Sequence, residues 1–363
     1  MDLLPPGTAG SDTVPASLGT VVAHESLTHN AGNAATGGIW RVRGSAGTAV
    51  RKVFRPPADP PVGSPAWQTS DEPTHWNYWR REYLAYTTGL AARAYEGTGI
   101  AAPALVGAAE RPDGTVELWL AEATGVAGPQ WTPERIAASA RQLGAAQARW
   151  VDRVPDEPWL SRRWLAQYVA DRRPWVPEPV PWDHPAAEVW SDRVRRRMRP
   201  LWERRHDLVA AAEAAPRTLC HLDVWPMNLV ADGPRTVLLD WAFTGEGALG
   251  EDVANLVVDS FTDGFFDPAL VPEVASAVVE AYLAGLRDGG WRGSPEVVRR
   301  AVAASGAAKY AWMAPAMLCG AARGDARGGL NSYDPDSSAA QVRARRATLL
   351  DLLVQWADEA TAH

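Results

Sequence analysis

The sequence has 363 residues, of which 46% are hydrophobic and 22% are charged, and its formal net charge is −7. This length and balance indicate a globular protein of about two domains. The acidic charge, without a basic stripe, argues against a nucleic-acid-binding protein. We find no signal peptide, no run of about 18 apolar residues and no metal-binding spacing of the two cysteines, so we expect a cytoplasmic protein that does not span a membrane.

The first third of the chain is predicted to be rich in β-structure. Residues 1–18 are rich in Pro, Gly and Ser, which predicts a flexible tail. Two β-rich runs within 38–54 flank the turn-like sequence GSAG, and residues 103–122 predict a hairpin. Between them, residues 74–95 carry Trp and Tyr at spacings of three and four, which predicts one helix.

After residue 123 the pattern becomes mainly helical. Thr132 is a predicted N-cap, and Pro133 takes the first helical position. Further helical patterns cover residues 191–215, 272–286 and 339–360.

Three oxygen-bearing side chains stand out between these helices, in HLDVWPMNL (221–229) and LLDW (238–241). Asp223 and Asn228 lie on a predicted loop, and Asp240 ends a predicted strand. Phosphoryl transfer needs such a set. One carboxylate orients the attacking hydroxyl and accepts its proton, while an amide and a second carboxylate hold Mg²⁺ on the phosphates.

This motif resembles that of the aminoglycoside phosphotransferase and choline kinase superfamily, which has H-G-D-x-H-P-x-N followed by I-D-W. The resemblance implies that Asp223 is the catalytic base and that Asn228 and Asp240 bind Mg²⁺. It also implies that His221 braces the loop.

The chain departs from the family pattern at several loop positions. Leu222 replaces the usual Gly, and Trp225, in place of a His, is a candidate wall of the acceptor site. Downstream, GEDVANL resembles another family segment. The implied role of its Asp252 is that of a carboxylate at a helix start that binds backbone N–H groups of the catalytic loop.

The resemblance implies an α+β, protein-kinase-like two-lobe fold. A small β-rich nucleotide-binding lobe would span residues 19–122, and a large, mainly helical lobe for catalysis and acceptor binding would span 123–363. A kinase-like small lobe needs a strand lysine for the phosphates and a helix glutamate to hold that lysine. Lys52, one of two lysines in the sequence, and Glu82 are the candidates. The alternative is a solvated edge lysine and an exposed helix glutamate.

Further nucleotide contacts are placed by their order in the chain. The loop HNAGNAATGG, which includes Gly37 and Gly38, stands where the phosphate-covering turn should be. Glu122 and Ala123 fall at the hinge that would meet adenine.

The acceptor side is predicted from charge and aromatic content. Asp252, Asp259 and Asp263 are spaced by seven and four residues, which places them on one helix face. Asp259 and Asp263 are therefore candidates for binding a cationic acceptor, and a solvated polar face is the alternative. Aromatic acceptor walls are expected from a tryptophan-rich stretch with Trp159, Trp164, Trp175, Trp182 and Trp190.

These observations predict an O-phosphotransferase that uses ATP, with GTP not excluded, and Mg²⁺ to phosphorylate a hydroxylated small molecule. The expected acceptor is an antibiotic of the aminoglycoside, cyclic peptide or nucleoside type, modified for resistance. One alternative is a metabolic kinase for an amino sugar, another sugar or a choline-like alcohol. The other is a kinase-fold binding protein without turnover.

Overall fold

The computed structural model describes residues 14–171, 175–326 and 336–362. The N-terminal lobe is built on strands β1 (Val21–Ser26), β2 (Thr36–Gly44), β3 (Thr48–Phe54), β5 (Leu105–Glu110) and β6 (Val116–Ala121). They form an antiparallel sheet in the order β1-β2-β3-β6-β5. The predicted hairpin over 103–122 is confirmed, because β5 and β6 pair antiparallel. Gly114 takes a left-handed conformation in the turn between them (φ 82°).

The predicted N-terminal tail lies partly outside the described part of the chain, which begins at residue 14. Within that part, Leu18 is buried in a small cluster with Val42, Ala49 and Trp119. The end of the predicted tail is therefore packed against the sheet.

The prediction of one helix over 74–95 was wrong. Helix α1 (Arg81–Thr87) starts later, and Gly89, with a φ of 75°, separates it from α2 (Leu90–Ala94). A left-handed residue interrupts the helical hydrogen-bond pattern. Trp76 is buried against Trp164 instead of lying on a helix.

Two smaller sheets belong to the second lobe. Strands β4 (Ile100–Ala101), β7 (Val126–Ala127), β9 (Leu229–Asp232) and β10 (Arg235–Leu238) form one sheet in the order β4-β10-β9-β7. Strands β8 (Arg217–Cys220) and β11 (Gly245–Ala248) form the other. The chain leaves the N-terminal sheet for β4, returns to it at β5, and leaves it for the last time between residues 121 and 126. The segment 221–228 connects β8 to β9, and Asp240 follows β10.

The rest of the C-terminal lobe is helical. Thr132 caps the first of its helices by accepting a hydrogen bond from the backbone N–H of Arg135 (3.4 Å), as predicted. The helix predicted over 191–215 is two helices that meet at Arg204, although Pro200 lies within the first. The helices are α3 (Pro133–Gln147), α4 (Trp164–Ala170), α5 (Asp192–Glu203), α6 (Arg205–Glu213), α7 (Glu251–Thr262), α8 (Val271–Asp288), α9 (Pro295–Tyr310), α10 (Met313–Arg323), α11 (Ala339–Arg345) and α12 (Ala347–Thr361).

Helices α3 and α8 approach each other closely. A Cβ atom on Gly144 would lie 2.3 Å from the carbonyl oxygen of Tyr282, and one on Gly285 would lie 1.9 Å from that of Arg141. Glycine at both positions therefore permits the contact. The segment Pro268–Asp288 is long and apolar enough to cross a membrane by length and composition, but half of its most apolar window is buried inside the protein. The helix therefore packs one side against the rest of the protein.

Arg81 of α1 connects the two lobes. Its buried guanidinium donates hydrogen bonds to the carbonyl oxygens of Trp159 (2.9 Å) and Ala242 (3.2 Å) in the C-terminal lobe. It also donates to carbonyls of residues 73–76 in its own lobe. Burial lowers the pKa of Arg81 to about 9. The predicted α+β architecture, with a β-rich N-terminal lobe and a mainly helical C-terminal lobe, is confirmed.

Candidate active site

A cleft of about 460 Å³ lies between the two lobes, a volume suited to a small molecule. Most of the predicted site residues line it. His221 and Asp252 lie behind its wall and are fully buried. The predicted residues that line the cleft are Lys52, Glu82, Glu122, Ala123, Asp223, Trp225, Asn228, Asp240, Asp259 and Asp263.

Asp252, at the start of α7, holds the loop before Asp223. Its Oδ1 accepts a hydrogen bond from the backbone N–H of Leu222 (2.6 Å), and its Oδ2 accepts one from that of His221 (2.8 Å). Oδ2 also accepts from Nε2 of Gln147 (2.7 Å). These are the loop contacts that the resemblance implied. Gln147 was not predicted as a site residue.

Leu222 adopts a left-handed backbone conformation, with a φ of 69°. Glycine takes this conformation without the penalty that a Cβ atom causes, which explains why the related motif has Gly here. The leucine side chain is 1% exposed, and Asp252 fixes its N–H. Burial and this hydrogen bond therefore stabilise the strained conformation.

Asp223 and Asn228 are joined by hydrogen bonds. The Nδ2 of Asn228 donates to Oδ2 of Asp223 (2.8 Å) and to its carbonyl oxygen (3.0 Å). Burial raises the pKa of Asp223 to about 7, and the nearby charge of Asp240 adds to this. The carboxylate is thus oriented, and its pKa suits proton transfer near neutral pH.

His221 supports the loop as a neutral side chain. Its Nδ1 accepts a hydrogen bond from the backbone N–H of Asp223 (3.3 Å), and its ring packs edge-on against Trp241. Burial lowers the pKa of His221 to about 4. The structure thus places it where a brace is expected.

Lys52 on β3 and Glu82 on α1 meet in the cleft. The Nζ of Lys52 lies 2.5 Å from Oε2 of Glu82 and 3.4 Å from Oδ1 of Asp240. Both Lys52 and Glu82 are buried, so the alternative of two solvated side chains is wrong. Burial lowers the pKa of Lys52, but the charges of Asp240 and Glu82 outweigh it and keep this pKa above the ordinary value.

Asn228 and Asp240 provide the oxygen donors of the site. The amide nitrogen of Asn228 is used by Asp223, which leaves its amide oxygen as a donor for a cation. The Asp240 side chain is 36% exposed. Although burial raises the pKa of Asp240, Lys52 keeps it below the ordinary value.

Residues 14–171, 175–326 and 336–362 contain no group of three His, Cys, Asp or Glu side chains that could hold a metal. Mg²⁺ in phosphotransferases is typically held by one or two protein carboxylates together with the phosphates of the nucleotide. The pair of Asn228 and Asp240 fits that mode of binding.

The residues predicted for the hinge line the cleft, whereas the two glycines predicted for the phosphate-covering turn do not. Gly37 and Gly38 lie in β2, and the cleft is lined instead by their neighbours Ala35 and Thr36. A Cβ atom on Gly38 would lie 2.2 Å from the ring of Trp40, so this glycine permits packing within the sheet. Glu122 lines the cleft beside Ala123, and its carboxylate accepts a hydrogen bond from Nε of Arg41 (2.5 Å).

The predicted acidic face does not form a free anionic surface. Asp259 accepts hydrogen bonds from Tyr310 (2.6 Å) and Asn255 (2.9 Å), and Asp263 forms an ion pair with Arg346 at 3.8 Å. Helix α7 is buried on nearly all sides, so a solvated polar face is also wrong. A helix inside the core cannot present one polar side to water.

Aromatic residues line the part of the cleft around Asp259 and Asp263, where the acceptor is predicted to bind and which we call the acceptor half. Of the tryptophan-rich stretch, Trp164 and Trp175 line the cleft, whereas Trp159 and Trp190 are buried in the core. Trp225 also lines it, with its ring centroid 6.3 Å from that of Phe265.

Lys309 was not predicted as a site residue but lines the cleft. Lysine is so rare in this sequence that its presence could have signalled this position.

The two-lobe fold, the Lys52–Glu82 pair and the loop with Asp223 and Asn228 define the class of the protein as a phosphotransferase with a kinase-like fold. A profile of the phosphotransferase enzyme family matches residues 40–294, and the chain belongs to this family. The predicted superfamily and the predicted class, a small-molecule phosphotransferase, are confirmed. A comparison with curated proteins found no match.

Solved structures share the fold. The amicoumacin kinase hAmiN, in complex with AMP-PNP, Ca²⁺ and Ami, is similar with a TM-score of 0.53 and 12% identity, covering 92% of this chain and 90% of that chain. A choline/ethanolamine kinase family protein from Mesorhizobium loti is similar with a TM-score of 0.53 and 16% identity, covering 99% of this chain and 96% of that chain. The predicted kinase-like fold is therefore confirmed.

Proposed function

We propose that this protein is an ATP- and Mg²⁺-dependent O-phosphotransferase that phosphorylates a hydroxyl group of an antibiotic and so confers resistance. The acceptor would be of the aminoglycoside, cyclic peptide or nucleoside type. The observation that carries the proposal is the convergence of Asp223, Asn228, Asp240 and Lys52 in one cleft between two lobes. The amicoumacin kinase has a similar fold, and its structure was determined with AMP-PNP and Ca²⁺. This supports the proposal that the present protein binds a nucleotide and a divalent cation.

Asp223 is the proposed catalytic base. Its carboxylate is fixed by the amide of Asn228 at 2.8 Å, so it can orient an acceptor hydroxyl. The hydroxyl oxygen attacks the γ-phosphorus of ATP, the bond from that phosphorus to the bridging oxygen breaks, and ADP leaves. The hydroxyl proton passes to Asp223.

Lys52 is proposed to bind the phosphates of ATP, and Glu82 to hold the lysine in place. The 2.5 Å contact between them fixes the ammonium on the floor of the cleft. Asn228 and Asp240 would hold Mg²⁺ with their side-chain oxygens. When bound, Mg²⁺ would neutralise negative charge on the phosphates. Positioning and charge would supply most of the rate enhancement.

The test is a panel of acceptors incubated with the purified protein, Mg²⁺ and either ATP or GTP, with ADP or GDP release as the readout. Aminoglycosides, cyclic peptides and nucleosides would be compared with amino sugars, other sugars and choline. We expect turnover with at least one antibiotic. The matched control, Asp223→Asn, should retain ATP binding but lose about 10²–10⁴-fold in kcat.

Three outcomes would contradict the proposal, each in a different part. Absence of ATP and GTP binding would refute the phosphotransferase assignment. Turnover confined to metabolic alcohols would refute the antibiotic acceptor. Nucleotide binding without turnover on any member of the panel would favour a binding protein.

A further inference from the structure

Lys309 lies in the acceptor half of the cleft. It is near the end of α9, is 7% exposed and contributes to the cleft wall. Its Nζ lies 4.7 Å from the ring centroid of Trp164, 5.6 Å from that of Tyr168 and 5.3 Å from that of Tyr310. All three distances are within the range of cation–π attraction. We call these three rings the aromatic box.

Among the residues that the structure describes, none provides an oxygen partner for the ammonium of Lys309. Within the described part of the chain it forms no hydrogen bond or ion pair. Burial lowers the pKa of Lys309, but the nearby charges of Asp259 and Asp223 oppose this effect and favour the protonated form. A buried ammonium without an oxygen acceptor still has N–H groups to donate. Because the side chain lines the cleft, a bound molecule could accept them.

The acidic groups around the acceptor half are already used inside the protein. Asp259 accepts three side-chain hydrogen bonds, from Tyr310, Asn255 and Thr262. Asp263 is paired with Arg346. Asp223 accepts a hydrogen bond at Oδ2 from the amide of Asn228, and it is assigned to the reacting hydroxyl. An ammonium group on the acceptor would therefore find no free carboxylate and would meet the charge of Lys309 instead.

We propose that Lys309 determines acceptor specificity by placing an internal cation against the aromatic box, so that its charge repels an acceptor ammonium from this part of the cleft. This inference rests on the proposed function and narrows it. The acceptor is a hydroxylated molecule without a cationic group near its reacting hydroxyl, and it carries an oxygen atom that accepts a hydrogen bond from Lys309. Among the proposed acceptor types, this favours nucleosides and uncharged cyclic peptides over aminoglycosides, and it disfavours choline-like alcohols.

The test uses choline and its uncharged carbon isostere, 3,3-dimethylbutan-1-ol, as probes of the box. Binding to the full-length wild type, Lys309→Met and Lys309→Arg is measured by titration calorimetry and by the fluorescence of the cleft tryptophans. The methionine variant has nearly the same side-chain length without the charge, and the arginine variant retains a cation. We expect Lys309→Met to bind choline about ten-fold more tightly than the wild type does, with no comparable gain for the isostere. Lys309→Arg should resemble the wild type.

Two results would overturn the inference. One is wild-type binding of choline as tight as that of Lys309→Met. The other is equal gains for choline and the isostere, which would indicate an ordinary cavity. Binding of Mg²⁺-ATP is measured on all three proteins. If Lys309→Met misfolded and lost Mg²⁺-ATP binding, the wild-type titration would still decide, because tight binding of choline by the wild type would refute the inference. Failure of the wild type to bind ATP or GTP would refute the proposed function instead, and the choline titrations would remain interpretable.

Discussion

Replacement of Asp252 by Asn should both destabilise the protein and slow catalysis. The carboxylate accepts hydrogen bonds from two backbone N–H groups, those of Leu222 and His221, and from the amide of Gln147. All three donors are buried. An asparagine has one oxygen and one NH₂ group, so at least one donor would face another donor. Oδ2 of Asp252 accepts two of the three hydrogen bonds. We therefore expect the single side-chain oxygen of the asparagine to take the position of Oδ2, which would leave the N–H of Leu222 unpaired.

The expected loss of stability follows from these contacts. An unpaired buried N–H costs about 1–3 kcal/mol, and the two remaining bonds would each lose about 1 kcal/mol on becoming neutral. Because burial raises the pKa of Asp252 to about 7, the cost of ionising the wild-type carboxylate offsets the gain from the two charge-assisted bonds. We therefore expect the unpaired N–H to dominate and the free energy of unfolding to be about 1–3 kcal/mol lower than that of the wild type. Asp223 follows directly on Leu222, and a misplacement of the base by about 1 Å could cost about 100-fold in kcat.

Urea unfolding at about pH 8.5 would measure the effect on stability, because burial raises the pKa of Asp252 to about 7 and the wild-type carboxylate must be ionised. The matched control is Asp267→Asn, at an exposed N-cap where Asn serves as well as Asp. That variant should lie within about 0.5 kcal/mol of the wild type. If Asp252→Asn were equally stable and equally active, the assigned role of Asp252 in holding the loop would be wrong.

Three further predictions concern the same site. The value of kcat/KM should fall below about pH 7, since protonation of Asp223 removes the base, whereas His221, with a pKa of about 4, does not titrate there; a flat profile down to about pH 5 would contradict this. Lys52→Met should lower kcat/KM for ATP about 10–100-fold, measured by ADP release, because a charged contact with the phosphates is lost; an unchanged value would remove Lys52 from the nucleotide site. The free energy of unfolding in urea should be about 1 kcal/mol higher for Leu222→Gly than for Leu222→Ala, because both variants lose the buried side chain but only glycine relieves the backbone strain. The reverse order would show that the positive φ carries no penalty.

The sequence was sufficient to predict the site residues that lie close to one another along the chain. Asp223, Asn228 and Asp240 are brought together by one loop and one short strand pair, so their spacing restricts their geometry. Lys52 and Glu82 could be paired because a strand and the following helix of a kinase-like lobe occur in a fixed order. Their 2.5 Å contact was expected on that basis.

Other features depend on contacts between distant segments, which a spacing pattern does not contain. Lys309 reaches Trp164 from a helix far along the chain. The carboxylates of Asp259 and Asp263 were assigned to substrate from helical periodicity alone, but their partners Tyr310 and Arg346 lie on or next to helices later in the chain. The break at residue 89 also escaped prediction, because the aromatic spacing over 74–95 arises from burial between the lobes.

The bonds of Arg81 have a consequence for how ligands enter the cleft. A wide opening of the lobes would break the hydrogen bonds from the fully buried guanidinium of Arg81 to the carbonyls of Trp159 and Ala242. These hydrogen bonds therefore hold the two lobes together at the base of the cleft. Movement of the residues at its rim would cost less free energy than rotation of the lobes. Nucleotide and acceptor should pass through a mouth widened by side chains and loops, while the angle between the lobes changes little during turnover.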